Sequence, residues 1–295
     1  MKKRLEDFFD YPKSFKFLNN TLISEKNINQ FHSSNIEFFK RKIDFTLAEN
    51  SIDWHFRNFR SLREIFHSSL MYTESKVIEN QYCIASIFFT KYYSFLHAVK
   101  SVLYLTPIDN FNPRIGHSQT INLFVNNYCQ GKRKLFNKDA FIKYSKLLRD
   151  LREVTSYQIP HSGSDFLTKD EFEEIDRKLT FYLKKLFQLA HYLSFVADRE
   201  HKSVSIQKNY ELFYKYKDIY FTTPHPLKET HIDFSDNIFI HDTLRADGTY
   251  CPPFTLFLEH EEDEFLLYGG FDYLNNSNKS FDVADVTSFI WKALF

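Results

Sequence analysis

Glycine and cysteine are scarce in this sequence: six glycines and three cysteines in 295 positions. So few glycines leave little material for loops that cradle a phosphate. The one adjacent pair, Gly269 and Gly270 in "YGGF", precedes no helix of G-x-G-x-x-G type and reads as a bulge or a point of close packing. No G-x-S-x-G elbow and no cysteine-nucleophile signature occurs. Cys83, Cys129 and Cys251 are odd in number and far apart, with no C-x-x-C pair. That excludes a disulfide framework and a cysteine zinc site, and fits free thiols in a reducing cytoplasm. Long apolar runs are missing too. The richest, "CIASIFFTKYYSFLHAVKSVLYL", is interrupted by Lys91, His97 and Lys100, and nothing reaches the roughly 18–20 apolar residues that span a bilayer. The opening "MKKRLEDFFDYPKSFKF" has no unbroken apolar region of the secretory type. A cytoplasmic chain with no membrane segment and no internal repeat is expected.

What the sequence has in quantity is aromatic rings, 34 Phe and 18 Tyr, in a chain that is 43% hydrophobic. Global disorder is excluded, and any core must be built largely from rings. The formal charge is zero, yet it is unevenly spread. Residues 1–160 carry a balance of +9 and residues 161–295 a balance of −9. A basic half points to a polyanion partner such as RNA, or to attraction between the halves or between two protomers.

The fold class expected is mainly α, a helical bundle with an additional long helix, followed by a small α+β domain. The divisions are 1–50, an N-terminal helical segment; 51–200, the bundle; and 201–295, the α+β tail. "SSNIEFFKRKIDFTLAEN" puts Ile36, Phe39, Ile43 and Leu47 on one face, with Ser33 or Ser34 as N-cap. "SIDWHFRNFRSLREIFHSSLMY" turns Trp54, Phe56, Phe59, Leu62, Phe66 and Leu70 inward. A long helix is expected from about Glu74 to Leu105, stopped by Pro107. A shorter one in "HSQTINLFVNNYCQG" closes at Gly131, and Asn137 caps "AFIKYSKLLRDLREV". Thr168 and Glu171 form a capping box for a helix over 169–199. Its apolar residues, from Phe172 and Ile175 through Leu186 to Val196, keep 3-4 spacing for nearly four heptads. Such a seam serves either an intermolecular coiled coil or packing across its own bundle. In the tail, "HIDFSDNIFIHDTL" alternates like a strand, "PPFTLFLEHEEDEFLLYGGFDYL" reads as a hairpin, and "VADVTSFIWKALF" as an amphipathic helix.

Three segments carry a resemblance: "KYYSFLHAVKSVLYL" with Tyr92, Tyr93, His97 and Ala98; "GHSQTINLFVNNY" with His117, Ser118 and Phe124; and "FIKYSKLLRDLREVTSYQIP" with Leu148, Arg152 and Tyr157. In order and pattern they resemble the HEPN superfamily over about 110 residues, 51–160. The resemblance implies a helical domain, often a dimeric, metal-independent ribonuclease of a defence or toxin–antitoxin system, with no cofactor. The signature is an arginine followed after four to six residues by a histidine. Imidazole titrates near neutrality and can take the proton of a ribose 2′-hydroxyl, while arginine stays charged and grips the phosphate.

The catalytic candidates are Arg152, assisted by Arg149, and His161. Eight residues, Pro160 the last of them, separate Arg152 from His161, so helical i, i+4 geometry does not follow. Arg60 and His67 in "RSLREIFH" have six residues between them and form the reserve pair. Arg57 and Arg63 extend that strip as RNA-phosphate contacts, and Lys132, Arg133 and Lys134 form a basic turn of similar use. The alternative is solvated or salt-bridged helix surface for the helical arginines, and a solvated loop for His161 and for Lys132, Arg133 and Lys134. His225, His231, His241, Asp242 and His260 lack metal-ligand spacing, so no metal is expected. Two functions remain: an RNA-cleaving homodimer, or a HEPN-like scaffold that has lost the motif and engages a partner protein through its acidic tail.

Overall fold

The structure, a computed structural model, describes residues 3–9, 14–79, 84–109, 111–157, 167–225, 228–232, 234–254 and 283–294. It is mainly helical. After a 3-10 turn at Leu5–Phe8 come α1 (Lys16–Leu22), α2 (Glu25–Lys42), α3 (Ala48–Glu79), α4 (Ile84–Tyr104), α5 (His117–Tyr128), α6 (Lys138–Tyr157) and α7 (Lys169–Glu200). Then follow α8 (Tyr210–Tyr220), strands β1 (Thr223–His225) and β2 (Lys228–His231), α9 (Phe234–Ala246) and α10 (Val283–Leu294).

Several boundaries differ from the sequence expectation. α2 begins at Glu25, capped by Ser24, whose side chain accepts from Asn27 N. Ser33 and Ser34 lie inside the helix, because "EKNINQF" already places Ile28 and Phe31 on the buried face. Leu47 falls beyond the helix and is exposed. The long helix expected over 74–105 is two. Residues up to Glu79 finish α3, and α4 starts at Ile84 and runs antiparallel to it. The stop before Pro107, the Asn137 cap (Ala140 N to Oδ1, 3.0 Å) and the Thr168–Glu171 capping box are all present.

The α3–α4 hairpin is stitched by serines. Ser68 Oγ and Ser94 Oγ each donate to the other's carbonyl at 2.7 Å, and Ser61 Oγ donates to Ser101 O at 2.6 Å. Small side chains let the backbones approach, and each bond contributes about 1 kcal/mol. Near the end of the hairpin where α3 gives way to α4, Lys91 is fully buried. Its Nζ lies 2.5 Å from Asp176 and 2.6 Å from Glu79, which explains a lysine in an apolar run.

α7 is the central helix. Every residue from Lys185 to Ala197 is buried, including Leu186, Leu189, Leu193 and Val196 of the heptad seam. The seam therefore packs within this chain, with a helix enclosed on all sides. Gln188 on α7 ties both ends of the molecule to it. Its Oε1 accepts from Phe17 N at 2.8 Å, and its Nε2 donates to Ala293 O at 2.9 Å.

The tail departs most from expectation. Most of the strand expected over 231–244 instead belongs to α9. Asp236, Ile240 and Thr243, spaced at 4 and 3, are buried; the same residues that alternate over short range also satisfy the helical period. Phe56, Phe59, Phe213, Phe221 and Ile240 make a second core where α8 and α9 meet the first half of α3. β1 and β2 form one antiparallel pair, Thr223 opposite His231. The α+β domain is not seen among the described residues, and the hairpin expected over 252–274 lies mostly outside them. The expected last helix is α10. No helix among the described residues is long and apolar enough to cross a membrane.

Candidate functional site

Helical spacing puts Arg60, Arg63, Glu64 and His67 on one face of α3, at i, i+3, i+4 and i+7. The facing turn of α4 supplies His97. Its Nδ1 stands 2.6 Å from Glu64 Oε2, and its ring meets that of His67 edge-on, with centroids 5.5 Å apart. Arg60 reaches Glu64 at 3.6 Å and Asp236, in the first turn of α9, at 3.7 Å. Arg63 approaches Asp236 at 3.8 Å. Glu64 is buried, while Arg60, His67 and His97 are partly exposed, so the cluster opens to solvent through the residues that could do chemistry.

Burial alone would raise the Glu64 carboxyl. The His97 imidazole, and then Arg60 and Lys100, outweigh that penalty and lower it to about 2. The carboxylate stays charged and orients His97 through Nδ1, leaving Nε2 for a ligand. For His67 burial dominates. With His97, Arg60 and Arg63 adding to it against the opposing pull of Glu64, its pKa falls to about 4. His67 is thus an uncharged base at neutral pH. Arg60 loses by burial but gains more from Tyr104, Glu64 and Asp236, so its charge is held firmly.

A second group adjoins the first along α4. Tyr92 OH lies 3.0 Å from His117 Nδ1, at the start of α5. The Arg152 guanidinium of α6 sits 4.7 Å from the Tyr92 ring centroid. Tyr93 packs edge-on to His117 at 5.6 Å and reaches His97 at 6.4 Å. Burial lowers the His117 pKa, with Lys100, Arg152 and His97 acting in the same direction.

The structure separates the residues nominated from sequence. Arg149 and Arg152 are partly buried on α6, paired with Asp150 and Glu153. His161 lies outside the described residues, so no distance to Arg152 exists. Arg60 and His67 lie on the same face of α3, each beside Glu64. Arg57 does not face solvent. It is 1% exposed, and donates from Nε to Tyr104 O at 2.7 Å and from Nη2 to Thr106 O at 2.6 Å. It is stacked between Trp54 and Phe111. A guanidinium on the last carbonyls of α4 is a helix-end cap, which removes Arg57 from the phosphate strip. In the basic turn Lys132 and Lys134 are exposed. Arg133 instead lies 3.5 Å from the Phe38 ring centroid and donates to Asn127 Oδ1. His241 and Asp242 are exposed, His225 and His231 fall on β1 and β2, and His260 lies outside the described residues.

Glu64, the organising residue, went unrecognised in the sequence. Its signal was its place four residues after Arg60 and three before His67. Glu64, His67 and His97 are also a two-histidine, one-carboxylate donor set, with one donor atom of each within 4.8 Å of the others. That set could ligate a divalent metal. The surroundings argue for an anion instead. Arg60, Arg63 and Lys100 stand around Glu64 and Asp236, so cations outnumber carboxylates before any imidazole is counted. Comparisons with protein-family models, curated proteins and solved structures returned no match. The site's own geometry is therefore what bears on its chemistry.

Proposed function

We propose that this protein is a HEPN-like, metal-independent endoribonuclease whose site is Arg60, Glu64, His67 and His97. The observation that carries the proposal is one uncharged histidine beside a second histidine held by a buried carboxylate, with Arg60 alongside. In the proposed reaction His67 takes the proton from a ribose 2′-hydroxyl. The 2′-oxygen bonds to the adjacent phosphorus, the P–O5′ bond breaks, and His97 gives a proton from Nε2 to the leaving oxygen. The products are a 2′,3′-cyclic phosphate and a 5′-hydroxyl, and proton exchange with solvent resets both imidazoles. Arg60 offsets the charge that gathers on the phosphorane oxygens. A bound phosphate also raises the His67 pKa from its low resting value, making it a better proton acceptor when substrate is present.

The test is incubation of the full chain with single-stranded RNA in EDTA, followed by end-group analysis. Cyclic phosphate ends are expected, with the rate falling about 100-fold or more in His67→Ala and in His97→Ala. Cleavage that needs added Zn²⁺ or Mn²⁺, or that survives both substitutions, overturns the assignment. In the wider proposal, a dimeric defence or toxin–antitoxin effector, expression arrests growth and His67→Ala relieves it. With the α7 seam enclosed, such a dimer must use another face.

A further inference from the structure

On α4 the spacing i, i+4, i+8 aligns Phe89, Tyr93 and His97 in one stripe. Phe89 is 44% exposed although it is a large apolar ring. It lies 4.6 Å from the Tyr93 ring, and Tyr93 in turn touches His117 and leads to His97. Arginines line the far side. The Arg152 guanidinium lies over the ring of Tyr92, which packs against Tyr93, and Arg149 and Arg152 meet Asp150 and Glu153. An exposed ring ladder flanked by guanidinium groups has an obvious chemical complement. A splayed nucleobase offers a flat π-face to the rings, and carbonyl or phosphate oxygens to the donors. A regular duplex keeps its bases stacked on one another and cannot use the rings.

We infer that Phe89, Tyr93 and His117 form a stacking platform for the bases of single-stranded RNA, which feeds the strand into the His67–His97 site. This rests on the ribonuclease reading for its direction, but its binding can be measured apart from cleavage. The probe is a fluorescent oligodeoxyuridylate of about ten nucleotides, which stacks yet has no 2′-hydroxyl and cannot be cut. Tyr93→Ala should weaken its binding at least 10-fold and Phe89→Ala several-fold, while Tyr93→Phe keeps affinity near the unaltered value. Phe89 is exposed enough that its loss leaves the fold intact; a denaturation midpoint checks this for Tyr93→Ala. An RNA duplex of equal length should compete at least 10-fold less well. Unchanged affinity in both alanine variants, no binding of the probe, or equal competition by duplex overturns the platform. The two readings fail separately. Platform-dependent binding without any RNA cleavage removes the ribonuclease and leaves the platform. Cleavage with unaltered KM in both variants removes the platform and leaves the ribonuclease.

Discussion

Arg57 and Arg60 sit three residues apart on the same helix and do unlike work. Arg57 is enclosed, its nitrogens spent on the terminal carbonyls of α4 and on Asp53. Arg60 is one turn on, partly exposed, and keeps a buried Nε–H without an acceptor while its outer nitrogens meet Glu64 and Asp236. The histidines of α3 divide in the same way. His55 is buried between Thr243 Oγ1 at 2.9 Å and the backbone of Tyr250, whereas His67 borders the open cluster. The enclosed half of this contrast, His55 and Arg57, is packed against α9 and the end of α4, and the other half, Arg60 and His67, reaches solvent. Residue type does not separate the two halves; what each turn of α3 is packed against does.

The largest expected effect falls on the enclosed half. Arg57→Ala leaves the carbonyls of Tyr104 and Thr106 without their donor and opens a space between Trp54 and Phe111. It should cost about 3–5 kcal/mol, the range for removing one member of a buried charged network. Urea denaturation followed by circular dichroism measures it. Arg60→Ala in the same assay should cost much less, while RNA cleavage falls steeply. Equal destabilisation by the two substitutions would erase the contrast.

Acid should sharpen the contrast. Burial lowers His55 to about 3 and His67 to about 4. Each stays neutral in the folded protein, while the unfolded chain takes up a proton near pH 6.5. Stability is therefore complete above pH 6.5 and falls as the pH drops below it; Glu64, lowered to about 2, begins to add to the loss only below about pH 4.5. From pH 6.5 to pH 5 the His55 share is about 2 kcal/mol. A bound anion favours the imidazolium form of His67 but cannot reach His55. The oligodeoxyuridylate should thus raise the denaturation midpoint of His55→Gln more strongly at pH 5 than at pH 7, and this pH dependence should vanish in His67→Gln. An unchanged pH dependence in the His67 variant would place the ligand elsewhere.

Local signals in the sequence located the helix ends well. Asn137, Thr168 with Glu171, and Pro107 each act through neighbours within a few residues, so their chemistry is visible in one dimension. The division between α3 and α4 was not legible, because "ENQYC" holds neither glycine nor proline and the apolar pattern runs across it. α9 was misread because six or seven residues of alternation fit both periods, and contacts with Phe56 and Phe59 decided it. At the site, spacing brought out Arg60 and His67, since both lie on one helix. Glu64 and His97 needed the register of α3 against α4, which the reciprocal Ser68–Ser94 bonds fix. No spacing rule within either helix contains that register.

The smallest effect is the most discriminating. Lysine keeps the charge of arginine but gives up the planar fork. At position 57 the fork serves carbonyls of two residues from different nitrogens, so Arg57→Lys should recover little of the stability lost in Arg57→Ala. At position 60 a point charge near the phosphate answers much of the need, so Arg60→Lys should retain a measurable part of the cleavage rate, with stability within about 1 kcal/mol of the unaltered chain. The comparison needs only the two lysine variants, one denaturation curve and one initial rate for each. If Arg60→Lys is as inactive as Arg60→Ala, position 60 also relies on directed hydrogen bonds. Its free Nε–H is then the donor to follow.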